Sequence, residues 1–210
     1  LVLENTNQPL KIAITGGIGS GKTTICKVFE AMGIPVYYSD DRAKWLMVND
    51  LELMDGVRGL FGQEAYFEDG SLNRKLLGSI VFNDKSKLEA LEAIVHPAVF
   101  RDGDAWHKSH TDVPYTMKET ALLFETKGYQ DLDFTITVFA SKEVRLQRVM
   151  ARDYASREAI EARMDKQLSE DKKIELADFV IYNDGEQLIL PQIRTIHQAL
   201  LKARQSNESA

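Results

Sequence analysis

Gly16-Gly17-Ile18-Gly19-Ser20-Gly21-Lys22-Thr23 decides the reading of this 210-residue chain. The stretch matches the pattern G-x-x-x-x-G-K-[ST]. Glycines allow positive φ and let backbone N–H groups turn inward around an anion. A helix beginning near Lys22 would aim the positive end of its dipole at the same anion. A lysine at that point reaches the β- and γ-phosphates of a nucleoside triphosphate, and the following hydroxyl can ligate Mg²⁺. Gly17, Ile18, Gly19, Ser20, Gly21, Lys22, Thr23 and Thr24 are therefore the expected contacts, with ATP and Mg²⁺ as the expected ligands.

Working outward, Lys11–Thr15 is a short apolar run that reads as a buried strand feeding the glycine turn. Thr23–Met32 has helical spacing, with Ile25, Val28, Phe29 and Met32 on one face and Gly33 as its stop. Ile34–Tyr38 is a second β-rich run. A strand, loop, helix and strand in this order open an α/β fold with a parallel central sheet. From Asp41 to about His110 the apolar pairs recur at helical intervals, with breaks at Gly62, Gly70 and Pro97. Pro114–Met117 and Asp133–Ala140 restore strand character. Ser141–Arg152 and Ser156–Leu168 read as charged helices, Asp178–Tyr182 as a last strand and Glu186–Ala203 as a closing amphipathic helix. The expected organisation is a core at 10–40 and 112–205, a helical insertion at 41–111 and a polar tail at Gln205–Ala210.

Composition narrows the function. A chain 44% hydrophobic is suited to a globular core. The single cysteine, Cys26, excludes an internal disulfide framework and fits a reducing compartment. A formal charge of −6 argues against binding nucleic acid by bulk phosphate neutralisation. No apolar run approaches the ~20 residues that span a bilayer, and the polar stretch Leu1–Pro9 has no signal-peptide core. The expectation is a cytoplasmic enzyme acting on a small molecule, with neither nucleic acid nor membrane as partner. Oligomeric state is not legible.

Three further features bear on the chemistry. Asp40 follows the second strand, where open α/β sheets present residues to their ligands. Its carboxylate can take a proton from a hydroxyl, hold Mg²⁺ or cap the helix that begins at Asp41. Glu119, ending the Tyr115–Lys118 run, is a second candidate near the metal, or an ordinary exposed strand-end charge. Arg148 and Arg152 are four apart and share a helical face. Two guanidinium groups so placed can offset the charge on a transferring phosphoryl group. The strings N-K-x-D and D-x-x-G, expected of a guanine-specific switch, are absent. His107 and His110 read as surface residues, and His96 as a structural residue before Pro97. The residues alone leave open any nucleoside or nucleotide kinase, or a nucleotide-regulated P-loop binding protein.

With these residues in hand, the chain resembles the dephospho-CoA kinase family from about Lys11 to Leu201. The resemblance rests on ordered segments: the Thr15–Thr23 loop, Gly33–Asp40 with Ala43, His96-Pro97, Leu122–Glu125, Gln147–Asp153, and Ala177–Ile181 with Asn183. It implies a three-layer P-loop kinase-like fold with a helical substrate-binding insertion and an arginine-bearing lid at 145–170. It also implies ATP-dependent phosphorylation of the ribose 3′-hydroxyl of dephospho-CoA. On this resemblance Asp40 is the general base, Lys22 and Arg148 act on the phosphates with Arg152, and Asn183 approaches the adenine. Thr23, Asp40 and Glu119 would then serve the metal. Tyr38 and Ser39 stand where the family carries an acid and an alanine, and Ala121 stands in place of a proline before Leu122-Leu123. The missing first acid leaves Asp40 and Glu119 to carry more of the metal binding.

Overall fold

The computed structural model describes residues 8–126 and 128–208, so most of Leu1–Pro9 and the end of the polar tail lie outside the described residues. The chain divides into two compact units, one formed by residues 1–37 and 107–210 and the other by Tyr38–Trp106.

The first unit is built on five strands, β1 (Leu10–Thr15), β2 (Val36–Tyr38), β3 (Tyr115–Glu119), β4 (Phe134–Phe139) and β5 (Phe179–Tyr182), in the order β2-β3-β1-β4-β5. β1 pairs in parallel with β3 and β4, and β4 pairs in parallel with β5. β1 therefore lies at the centre, and Ile12, Ala13 and Ile14 are almost wholly buried. β4 is also a double-faced strand, with Thr135 to Val138 all buried. Thr135 is no sign of a wet face: its backbone N–H and hydroxyl both donate to Asp178 Oδ2, at 2.7 and 2.8 Å. A buried sheet of this kind must satisfy its polar groups internally. The last strand is finished by a side chain, since Tyr182 N–H donates to Gln192 Oε1 at 2.8 Å and Gln192 Nε2 donates back to the Tyr182 carbonyl at 3.0 Å.

Helices flank this sheet. α1 (Lys22–Ala31) packs on β1 and β3 through Ile25, Cys26 and Phe29. After the helices of the second unit come α6 (Lys142–Asp153), α7 (Arg157–Met164), α8 (Glu170–Leu176) and α9 (Ile189–Glu208). α8 packs on β4, and α9 on β3 and β5. The helix expected over Ser156–Leu168 is shorter than its pattern, ending at Met164, and α8 follows as a separate turn of helix capped by Ser169. The polar tail is helical as far as Glu208. His107 is buried rather than at the surface, with its Nδ1 2.7 Å from Thr116 Oγ1.

The second unit is helical, as the apolar spacing indicates: α2 (Ser39–Asn49), α3 (Leu51–Phe61), a 3-10 turn at Gln63–Ala65, α4 (Arg74–Asn83) and α5 (Lys85–Lys108). Its boundary differs from the 41–111 expected, because α5 crosses into the first unit at His107. Asp50 caps α3 by accepting from Leu53 N–H at 2.9 Å, and Asn73 caps α4 by accepting from Leu76 N–H at 3.1 Å. Leu46, Leu53, Met54, Val57, Tyr66 and Leu77 are buried in it. Arg42 and Asp102 join α2 to α5 through a two-pronged pair at 2.9 and 2.6 Å.

Pro97 does not break the chain into two helices; it lies within the 24-residue α5. Having no N–H, it leaves the carbonyl of Ala93 without its helical donor. Ala98 and Val99 just beyond it are buried, and that packing keeps the helix continuous across the defect. Restoring the donor should stabilise the fold: Pro97→Ala is expected to raise the unfolding free energy by about 1–2 kcal/mol, the helix gain less the loss of chain stiffness. Denaturant unfolding checks this, and a lower stability would mean that Pro97 serves the local packing.

Candidate active site

The glycine turn follows β1 directly and hands over to α1 at Lys22. Gly21 is the N-cap with φ 94°, a left-handed conformation that costs glycine little, and no side chain caps the helix. A Cβ at this position would run into the Asn183 amide. α1 has no acidic residue in its first turn. The positive end of its dipole therefore faces the glycine turn without a competing carboxylate. Lys22 Nζ donates to the Gly16 carbonyl at 2.8 Å, folding the side chain back along the loop. Thr23 and Thr24 are exposed, so both hydroxyls are open to a ligand.

The outward carbonyls of the loop are taken by side chains from the far half of the sequence. Asn183 Nδ2 donates to the Ser20 carbonyl at 2.7 Å. Arg148 Nη1 lies 3.4 Å from the Ser20 carbonyl and 3.5 Å from that of Gly19, and Nη2 donates to the Asn183 carbonyl at 2.8 Å. Asn183 is fixed in turn, because its N–H donates to the Phe139 carbonyl at 2.7 Å at the ends of β4 and β5. Arg148 thus brings its positive charge to the loop through carbonyl contacts. α6 reaches the loop by apolar packing as well: Leu146 and Val149 cluster with Ile160 and Met164 of α7, and Ile18 packs against that cluster.

Arg152 is arranged differently from Arg148. It is exposed, and its Nε and Nη2 donate to Asp153 at 2.6 and 3.1 Å. Arg163 donates to the same carboxylate at 2.9 Å. These bonds, that from Arg152 first, pull Asp153 down to a pKa of about 2. Arg148 and Arg152 do share a helix face, but only Arg148 touches the loop. Arg157, also part of the arginine series, is tied to Glu143 at 3.0 Å.

Glu119 is a buried member of β3, not an exposed charge beyond it. Its register partner in β1 is Ile14, which places it beside the strand end that enters the loop. Asp40 is exposed in the first turn of α2, and the N-cap of that helix is Tyr38. Asp40 therefore does not cap the helix. Its neighbour Asp41 is paired with Lys44 at 2.8 Å. Asp40 belongs to the helical unit and follows β2 by two residues.

Several residues around the loop are not legible in its motif. Arg145 is buried, and its Nε donates to the Ala140 carbonyl at 3.2 Å. Gln167, Glu170, Lys173 and Glu125 stand near it. The signal for Arg145 was present, since it precedes Arg148 by one helical turn on the same face. Nothing in local spacing marks Gln167, which reaches the loop at Ile18, or Lys173, which lies behind it beside Glu125 and Glu170.

Comparison with known proteins is consistent with this geometry. A family model described as dephospho-CoA kinase matches residues 10–188. The chain belongs to the dephospho-CoA kinase family. A dephospho-CoA kinase of Salinibacter ruber is 42% identical over 83% of this chain and 88% of that protein, and one of Bacteroides fragilis 38% identical over 88% and 89%. Among solved structures, a protein from Thermus thermophilus superposes with a TM-score of 0.78 at 35% identity, over 93% of this chain and 98% of that one. Dephospho-CoA kinase from Campylobacter jejuni gives 0.67 at 27% identity, over 92% and 98%. The family's parallel five-stranded P-loop kinase fold is the fold of this chain.

Cys26 reports on the same region. Burial raises its thiol pKa far above the ordinary range, Glu119 and Glu30 raise it further, and the Lys22 ammonium acts in the opposite sense. The thiolate is the reactive form, so folded protein should resist an aromatic disulfide reagent at pH 8 and react fully once unfolded in guanidinium. Rapid native labelling would mean that α1 opens at the loop.

Proposed function

We propose that this chain transfers the γ-phosphoryl group of ATP to the ribose 3′-hydroxyl of dephospho-CoA, releasing CoA and ADP. What carries the reading is family membership along residues 10–188, joined to a phosphate loop with an uncapped helix start. The loop N–H groups and Lys22 bind the triphosphate, and Arg148 adds positive charge at its side. Asn183, beside Arg148 and the loop, is assigned to the adenine end. Arg152 is assigned to the phosphates on lid closure, which requires it to leave Asp153.

Asp40 is assigned as the base. The sheet's C-terminal edge is where ligands of open α/β folds bind, and Asp40 follows β2 at that edge. It orients the 3′-hydroxyl and accepts its proton as the oxygen attacks the γ-phosphorus in line, with ADP as leaving group. The helical unit is assigned to binding the acceptor, and residues 145–170 to a lid that excludes water and limits ATP hydrolysis. Thr23, Glu119 and Asp40 offer hard oxygen ligands of the kind Mg²⁺ prefers, and among the described residues no three His, Cys, Asp or Glu come together. Phosphate oxygens and water would complete its shell; the cation, when bound, offsets phosphate charge. The reaction supplies a cofactor used in the cytoplasm, and we place the enzyme there.

The reading is tested with a panel of acceptors. ADP should form with dephospho-CoA and not with AMP, CMP or uridine, and formation with one of the latter alone would reassign the acceptor. Asp40→Asn should lower turnover by roughly 10²-fold or more, the scale of a positioned base, with ATP affinity little changed. Near-normal turnover would remove Asp40 from the chemistry.

A further inference from the structure

The phosphate loop carries a layer of contacts that the transfer itself does not use. Both backbone polar groups of Ile18 are taken by distant side chains. Its N–H donates to Gln167 Oε1 at 2.9 Å, and its carbonyl lies 3.5 Å from Arg145 Nη1. Gly17 has no room for a Cβ, which would strike both Arg145 and Glu170. Behind these groups sits Lys173, whose side chain is wholly buried. Its Nζ lies 3.7 Å from Glu125 Oε1 and 3.7 Å from Glu170 Oε1, yet it makes no hydrogen bond. Glu170 Oε1 is also 3.7 Å from Arg145 Nη1. Glu125 Oε1 accepts from the N–H of Leu168 at 2.8 Å, next to Gln167.

These contacts close a circuit: from Glu125 through Leu168 and Gln167 to Ile18, then through Arg145, Glu170 and Lys173 back to Glu125. Two cations and two carboxylates balance within it. Stability alone is a poor reason for such a group, because well-packed apolar residues usually match or exceed a buried ion cluster. What the circuit does achieve is to hold the N–H and the carbonyl of one loop residue, Ile18, on two successive peptide groups. The Gly16 carbonyl that receives Lys22 Nζ is only two residues away, so the fixed arm is the one beside the lysine that serves the transferred phosphate.

We propose that Gln167 and the Arg145–Glu170–Lys173–Glu125 group form a positioning brace that holds the Gly17–Ile18 arm of the phosphate loop in its nucleotide-binding geometry. A loop held in place before binding loses less freedom when the nucleotide arrives. The brace rests on the nucleotide-binding part of the proposed function and not on the identity of the acceptor. Its test therefore uses Mg²⁺·ADP without acceptor, so that a wrong acceptor assignment and a wrong brace give different results.

Gln167→Met keeps the side-chain length and removes the oxygen that holds Ile18. In the full chain, titration calorimetry should show ADP binding weakened by about tenfold, the scale of one hydrogen bond lost from a prepared site. Amide exchange across Gly16–Lys22 should quicken, as expected of a loop released from tertiary contact, while the melting temperature stays within about 2 °C of wild type, the shift of a few tenths of a kcal/mol. Lys173→Met should weaken ADP by a similar factor, and the two losses should not multiply in the double variant, since residues of one network couple. Wild-type ADP affinity and exchange in Gln167→Met would overturn the proposal. So would losses that multiply, or an affinity loss that tracks a fall in melting temperature with loop exchange unchanged. Gln167→Met decides the matter whether or not Lys173→Met folds.

Discussion

The geometry of the phosphate loop depends on how its outward carbonyls are satisfied. A backbone that turns its N–H groups inward around an anion turns its C=O groups outward, and those too need partners. Asn183 takes the Ser20 carbonyl at 2.7 Å and Lys22 takes that of Gly16 at 2.8 Å. Arg148 and Arg145 approach those of Gly19, Ser20 and Ile18 at 3.4 to 3.5 Å. The donors come from α6, from the end of β5 and from α1. Central β1, with β4 beside it and β5 beside β4, is what brings these parts of the sequence to one place. The loop motif is local, but its geometry is a property of the whole sheet.

That distinction explains what could be read in advance. The parallel α/β core, the helical insertion and the loop residues follow from periodicity and from glycine chemistry, which act over a few residues. That Glu119 and Asp40 lie at strand ends is legible from the β-rich runs before them, and the structure places Glu119 at the end of β3 and Asp40 two residues after β2. Arg148 was legible as half of a charged helix face, whereas the partition of that face was not. Asp153, adjacent in sequence, holds Arg152 at the surface, and spacing alone cannot weigh that local pair against a reach to the loop. Pro97 shows the converse. A strong local break signal was outweighed by the packing of Ala98 and Val99. His107 reads as a surface residue, but it is buried against Thr116 of β3, a contact that local sequence does not show. Lys173 carried no local signal at all: a lysine on a short polar helix ordinarily lies in water, and its burial follows from neighbours at Glu125 and Glu170.

The helical unit poses a different problem. It has its own caps, its own apolar residues and its own charged ties, such as Arg42 with Asp102, so it folds by rules separate from those of the sheet. Its substitution pattern at the entry point is also its own. Tyr38 stands where the family carries an acid, and it serves as the N-cap of α2 without a side-chain hydrogen bond to the helix. An acid at that position would be placed to accept helix N–H groups; tyrosine gives that up. Of the two carboxylates that follow β2, Asp41 is engaged with Lys44.

The reaction is defined by the one oxygen that receives the phosphate. Phosphorus and proton NMR of the product formed from ATP and dephospho-CoA tests it directly. The account predicts one new phosphate on the ribose 3′-oxygen, formed in equal amount with ADP. Phosphate on any other oxygen, or ADP released with the acceptor unchanged, would contradict it.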